Sequence, residues 1–547
     1  MLIASWSNFF GANRQLTLRR LPDGIGVECS NLRPGFAELR GWKGAQTVVT
    51  TGGATPLISA YRMDRGVISD TAEWLQWQTD VDVVRSLVAN DTGEEIYYTG
   101  DGAPKRTNMV LALPTSGAPA ASRNLGIPKP TVGMTATTLV VGTGASENRV
   151  YVDTFYSSGG WESAPGVPTS FVNLGGTTVT LSAFDPVPSG YPDVTIRRIY
   201  CSTDGGDFLL VAEQPAATAT CVDSLGRGSV LQSGGRDDKP AWEEPPPNLS
   251  GLIGLWNGMI GGFFGKSWAV CEPYKPWAWP VLYQNAVFDD IVGTGRWLQN
   301  WLVLTTGQPY LVAGSAPASM NDQPMTFDQS CASKRSIVSM GHGVCWASPR
   351  GLCYVGEGVS PTIITDGILS AEQWEAMNPS TMIASRYERF YACFYNDGAL
   401  KGFLIDPRNP TSIIDLTQGA RGCYYDPISD RLYLQDAGNV IRRFNHPSAS
   451  TLTASFKTGS ARHPYPTNPG AAMLVADEPV SVVFTLFANL QQTDGTYVWT
   501  QVFQRTATTG VPFTLPGGYL AQEFQVSVST TGPLQGILLA EGMEDLA

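Results

Sequence analysis

The sequence predicts an all-β fold: a β-propeller carrying an inserted fibronectin III/Ig-like β-sandwich and a small C-terminal β-sandwich. Three observations predict it. Turn formers are abundant, with 59 Gly and 38 Pro in 547 residues and no collagen-like period, so the chain turns often and its strands are short. Aromatic residues make up 10% of the chain, and they suit pleated, half-buried surfaces. Between residues 250 and 445 one unit recurs: an apolar strand, a Gly turn and a second apolar or aromatic strand, seen in LIGLWNGMIGGFF, WLVLTTGQPYLVAG, GVCWASPRGLCYVG, FYACFYNDGALKGFLID and RLYLQDAGNVIRRF. The turn glycines Gly258, Gly307, Gly351, Gly398 and Gly438 stand 49, 44, 47 and 40 residues apart, the period of propeller blades with several strands each. A meander or sandwich with hairpins so spaced is the competing reading.

Taken in order, residues 1–125 are an N-terminal arm followed by the first propeller strands, and VVRSLVANDTGEEIYY (83–98) is a hairpin of the same kind as those further on. The opening MLIASWSNFFGANRQL has no basic start, apolar stretch or cleavage site, so no signal peptide is expected. Leu125-Gly126-Ile127-Pro128-Lys129-Pro130 is a Pro-stiffened linker. Residues 131–225 then give about seven short alternating strands, with a hairpin at Asp204-Gly205-Gly206, which is the pattern of a β-sandwich of fibronectin type III or immunoglobulin style. A second linker, AWEEPPP, leads to the blades at 250–448. Within them, Gly251–Val270 has the most membrane-like composition. Asn257-Gly258 breaks it, and two buried strands around a hairpin fit it better than a membrane span. The best helix candidate, Ser370 to Met377 with Ser370 as N-cap, is short. The segment 450–547 alternates again and reads as the terminal β-domain.

Charge narrows the function. Only 15% of residues are charged, and 36 basic against 48 acidic residues give a net charge of −12. No basic cluster exceeds a pair, whereas a protein that grips phosphates needs a basic face. Residues 131–220 carry a net −5 and residues 450–547 a net −4. Nine cysteines include no CxxC and most lie in apolar runs such as Val344-Cys345-Trp346, so they read as buried thiols rather than a disulfide framework.

Candidate chemistry is sparse. The three histidines, His342, His446 and His463, lie near no GxSxG elbow and no papain-like cysteine. His342 with Cys345 and Cys353 has no standard zinc spacing, and neither a P-loop nor a dinucleotide fingerprint occurs. Propellers also house glycosidases that use two acids, which makes Asp80 with Asp82, Asp289 with Asp290, and Asp366 candidates, with Trp277 and Trp279 as a sugar platform. Solvated loop acids and tryptophans packed between blades explain these residues more simply. No catalytic, cofactor-binding or metal-binding residue is therefore assigned, no cofactor is expected, and the chain is expected not to be an enzyme.

Several stretches resemble the β-propeller nozzle proteins of short-tailed bacteriophages, the tail tubular protein B type, and related tail-hub proteins. They are LPDGIGVECSNLRPGFAELRGWKG, EWLQWQTDVDVVRSLVANDTGEEIYYTGDGAPKRT, LGIPKP, ESAPGVPTSFV with VTIRRIYCSTDGGDFLLVAE, SKRSIVSMGHGVCWASPRGLCYVG, and FTLPGGYLAQEFQVSVS with GILLAEGMEDLA. They cover about a third of the chain and are structural phrases, not catalytic motifs. The resemblance implies a virion protein made in the host cytoplasm that forms a homo-oligomeric ring, a hexamer in that family's manner, below the portal adaptor. It also implies contacts with other tail proteins and tail fibres, DNA passing through without specific binding, and no membrane span. The alternative is a propeller that binds or hydrolyses host-surface carbohydrate.

Overall fold

The computed structural model describes all residues except 51–56, 64–69, 71–72, 89–90, 115–116, 226–241, 437, 439 and 547. Short apolar runs between turns form strands, and among the described residues seven small sheets follow one another around an axis. Their innermost strands are Ser59–Arg62, Asp82–Arg85, Ser250–Gly254, Ile291–Trp297, Val338–Ser339, Ile383–Tyr387 and Gly422–Asp426. Each from the second onward contacts the next, and the seventh contacts the first. Ser59 joins the first two: its hydroxyl donates to Thr79 O and accepts from the Val81 N–H at 3.0 Å. The circle of sheets is a β-propeller, and the sheets are numbered here as blades 1 to 7.

Blades 2 to 6 are four-stranded and antiparallel. Blade 7 takes its fourth strand from the other end of the chain, Gln46–Thr50 pairing with Val440–Arg443, so hydrogen bonds rather than a peptide link complete the last blade. Both faces of a blade are covered by neighbours, which is why the strands read as apolar runs. In Gly343–Ala347 every residue is buried. Alternation sends Val344 and Trp346 into the core shared with blade 4, and Cys345 and Ala347 into that shared with blade 6.

The glycine register needs one correction. Gly307, Gly351, Gly398 and Gly438 each lie between the second and third strands of their blades, but Gly258 lies between the first and second strands of blade 3. The equivalent residue is Gly265, and with it the spacings become 42, 44, 47 and 40 residues. Gly258 was the more conspicuous because Asn257-Gly258 is a true hairpin turn, with φ of 54° and 72°. A Cβ on Gly258 would lie 2.6 Å from the Tyr274 ring. The membrane-like stretch is thus a hairpin of Ser250–Gly254 and Ile260–Phe264, and no helix among the described residues is long and apolar enough to cross a membrane. The short helix Ala371–Ala376 forms where expected. Ser370 and Gln373 cap it reciprocally, and it buries Trp374.

Between blades 2 and 3, residues 135–223 form two facing sheets. One orders the strands Thr135–Val140, Thr178–Ser182 and Thr220–Asp223; the other orders Thr169–Leu174, Ser146–Ser157, Val194–Thr203 and Leu209–Pro215. Met134, Tyr151, Val179, Leu181, Ile199 and Cys221 fill the space between them. The hairpin at Asp204-Gly205 is present, both residues having positive φ.

The start of the chain, expected as an arm ahead of the first propeller strands within 1–125, is instead woven into the C-terminal domain. Leu2–Trp6 pairs with Gly536–Ala540, and Glu28–Ser30 lies between Ile414–Leu416 of blade 6 and Ala454–Lys457. From blade 6 the sheet therefore continues outward through Ala521–Thr530 and Ser481–Gln491 to Tyr497–Thr508. The physical reason is burial: Phe9, Cys29, Leu32, Leu39 and Trp42 complete the core that the terminal strands open. A local alternation pattern does not say which distant strand it pairs with.

Candidate functional site

The seven inner strands line a central channel with a cavity of about 690 Å³. It brings Asp80 and Asp82, entering blade 2, against Lys334 and Arg335, which lie in a 3-10 turn that swings them inward just before blade 5. Lys334 Nζ is 2.6 Å from Asp82 Oδ2 and 3.2 Å from Asp80 Oδ2. Asp82 also accepts the Gly251 N–H of blade 3 at 2.9 Å. Arg335 donates to Ile58 O, ahead of blade 1, and to Arg421 O, ahead of blade 7, and approaches Asp80 at 3.8 Å. One pair of cations thus ties together blades 1, 2, 3, 5 and 7.

Burial works against the charge on Lys334, but the carboxylates of Asp82 and Asp80 outweigh it and hold the pKa above the ordinary lysine value. Burial raises the pKa of Asp82, with Lys334 opposing and Asp80 reinforcing the rise. A second ionic layer joins blades 1, 2 and 7. Arg62 pairs with Asp426 where both are buried, and Arg85 donates to Tyr61 Oη at 2.7 Å and lies 3.7 Å from Asp426. Burial would raise the Asp426 pKa, but the Ser429 hydroxyl, the Ile428 N–H and Arg62 together lower it. Chemically, the channel wall is cross-braced, with Asp80, Asp82 and Asp426 each engaged by a cation.

The other sequence candidates are dispersed. Asp289 and Asp290 precede blade 4, and Asp366 follows the outer strand of blade 5. Cys345 and Cys353 face opposite cores of blade 5, so His342 cannot gather both, and no metal-ligating cluster occurs among the described residues. His446 sits 3.7 Å from Asp70, and His463 is buried beside Tyr465. Trp279 is wholly buried. Trp277 stacks on Trp161 of the inserted sandwich, with centroids 4.8 Å apart and planes at 17°, and donates to Glu162 O. Arg106 of blade 2 covers the Trp161 ring at 3.8 Å and pairs with Asp193. These tryptophans fasten the sandwich to blades 2 and 3.

Sequence reasoning did not single out Lys334 and Arg335 as a brace. Their one signal was adjacency, in a chain whose bases never cluster beyond a pair; their partners stand some 250 residues away.

No family model matches the chain, and no curated protein does. Among solved structures it is similar to the Neurospora crassa Pan2 WD40 domain (8% identity, 47% of this chain and 87% of that one, TM-score 0.26). It is also similar to YCF48 from Cyanidioschyzon merolae (10% identity, 74% and 99%, TM-score 0.25) and to apo AztD from Citrobacter koseri (12% identity, 68% and 100%, TM-score 0.26). At these scores none bears on function, and the propeller rests on the circular order of its own blades.

Proposed function

We propose that the chain is a structural subunit of a tailed-bacteriophage particle, a nozzle or hub protein that assembles into a ring, of six copies in the family it resembles, around the path of genome exit. The observation that supports the reading best is the cross-braced propeller with two further β-domains attached: a rigid block whose added domains offer surfaces to neighbours. The inserted domain is read as a fibronectin III/Ig-like sandwich. Its four-stranded sheet has the pairing expected of that class, while its last strand, Thr220–Asp223, lies at the far edge of the three-stranded sheet. In this reading the space between subunits, rather than the narrow channel of each propeller, is the conduit. The chain's net charge of −12 supports passage without grip, because each neutralised phosphate would add affinity and drag. The partners in this reading are other copies, the portal adaptor, neighbouring tail proteins and tail fibres.

The test is electron imaging of the purified chain and of particles containing it, with a duplex-binding assay near physiological salt. Rings at the tail and no retained DNA are expected. Tight, salt-sensitive duplex binding, or a strictly monomeric chain in assembled particles, would refute the reading; saturable binding of a host glycan would favour the carbohydrate alternative.

A further inference from the structure

Four cations line the central channel, Arg85, Arg296, Lys334 and Arg335, against two acids, Asp80 and Asp82. Lys334 and Arg335 serve those two acids, and Arg85 shares Asp426 with Arg62. Arg296 is left over. It lines the cavity from the inner strand of blade 4, and among the described residues its guanidinium meets neither an acid nor a hydrogen-bond acceptor.

The contrast with Arg85 is instructive. Burial lowers the Arg85 pKa, but the phenol oxygens of Tyr61 and Tyr424 outweigh it and the net shift is upward. For Arg296 burial acts alone, and the shift is downward. Its charge is partly stripped of water with no protein oxygen in exchange, which costs free energy unless something else supplies one. Next to it, the Arg296 main-chain N–H donates to Ser339 Oγ of blade 5 at 2.9 Å, and the Ser339 hydroxyl proton meets no acceptor among the described residues. Both residues stand clear of the brace. A Cβ on Gly293 would lie 3.1 Å from Lys334 Cγ, and Arg296 is three residues further along the same strand, about 10 Å beyond.

We propose that the channel holds a small molecule bearing one oxyanion group, a phosphate or a carboxylate, taken by the Arg296 guanidinium with the Ser339 hydroxyl beside it. The planar guanidinium fork matches two oxygens of such a group. The cavity, about 690 Å³, falls within the roughly 300–1,000 Å³ of small-molecule sites, and Tyr61 and Tyr424 give it aromatic walls. In a chain of net charge −12, a concave site lined by four cations and two acids is where a small anion collects. Asp80 and Asp82 repel negative charge at the braced end, so the ligand carries its charge at the Arg296 end only. A duplex, charged along its whole length, does not meet that condition. The site does not depend on ring assembly.

Titration calorimetry of the full chain with inorganic phosphate and, separately, with acetate, in chloride at matched ionic strength, reads the site. One of the two is expected to bind saturably at one per chain, and which one does so names the group. Arg296→Gln is expected to weaken that binding about tenfold or more, and Arg296→Lys, which keeps the charge and loses the fork, to fall between. Ser339→Ala should weaken it by a smaller factor. Arg389→Gln, at an exposed arginine paired with Asp406 outside the channel, should leave it unchanged. Circular dichroism and the melt verify that each variant is folded. Saturation by neither anion would overturn the site, as would an Arg296→Gln chain that binds as tightly as the unaltered one. Displacement of the bound anion by duplex DNA would overturn its assignment to a small molecule.

Discussion

Replacing Lys334 with Met removes the cation that holds Asp80 and Asp82 together across the channel. The side chains of Lys334 and Asp82 are each 23% exposed, between a surface pair and a fully buried one. Removing one partner of a buried pair costs about 3–5 kcal/mol and an exposed pair contributes about 0–1 kcal/mol, so the variant should lose ~2–3 kcal/mol. For a cooperative unit of roughly 300 residues, unfolding entropy is ~0.6 kcal/mol per degree, which makes this a fall of ~3–5 °C in melting temperature at neutral pH. The loss should depend on pH in a definite direction. The Asp82 pKa is already raised, by burial first, and Lys334 opposes the rise; without Lys334 it climbs further. A carboxyl whose folded pKa exceeds its unfolded value of about 4 binds more protons when folded, so stability falls as pH rises through the interval between the two values. The deficit is therefore absent below the unfolded pKa and complete above the folded one. Differential scanning calorimetry at neutral pH and at about pH 4.5 should show the deficit shrinking on acidification, and adding Asp82→Asn should recover most of it at neutral pH. An unchanged melt, or a loss of equal size at both pH values that Asp82→Asn does not relieve, would refute the brace.

Residues 131–225 expressed alone should melt cooperatively, and Arg197→Met should cost that segment ~3–5 kcal/mol, since it strands buried Asp153; calorimetry of the segment reads both. Trp277→Ala should remove ~2–3 kcal/mol of stacking and burial between the sandwich and blade 3, seen as a calorimetric transition that splits in two. Native protein at neutral pH should resist thiol reagents, because burial pushes Cys271, Cys331 and Cys353 up to about 12, whereas denatured protein should titrate nine thiols. Truncation after residue 448 should leave Phe9, Cys29 and Trp42 uncovered and give insoluble chain, as a solubility assay of the shortened protein would show.

The parts legible in the sequence were those written in local pattern. Alternating apolar runs and the Asn257-Gly258 and Asp204-Gly205 turns place hairpins without knowledge of their neighbours. Ser370 announces its helix for the same reason, since the backbone N–H that its hydroxyl caps lies only three residues on. The choice of Gly258 over Gly265 shows the limit: the better turn sequence belonged to a different hairpin of the blade. Pairings between Ser30 and Asp415, or between Val440 and Thr50, join residues hundreds of positions apart, and nothing in either strand names the other. The channel brace was invisible on the same grounds. Asp80 and Asp82 looked like an acid pair until Lys334 stood between them.

The weave of the N-terminal segment gives the disc its mechanical character. Gln46–Thr50 completes blade 7, and Glu28–Ser30 stitches blade 6 to the terminal sheet. The seam at which the propeller closes lies in blade 7, where hydrogen bonds between Gln46–Thr50 and Val440–Arg443 join the two ends of the circle. Across that seam lie Arg62 with Asp426, and Arg335 reaching both Ile58 O and Arg421 O. Load entering through the inserted sandwich reaches blades 2 and 3, and load entering through the terminal sheet reaches blade 6. The line between them crosses Lys334 and Asp82, not the seam. A subunit held at those two ends would carry its load through the braced diameter and leave the hydrogen-bonded closure unstressed.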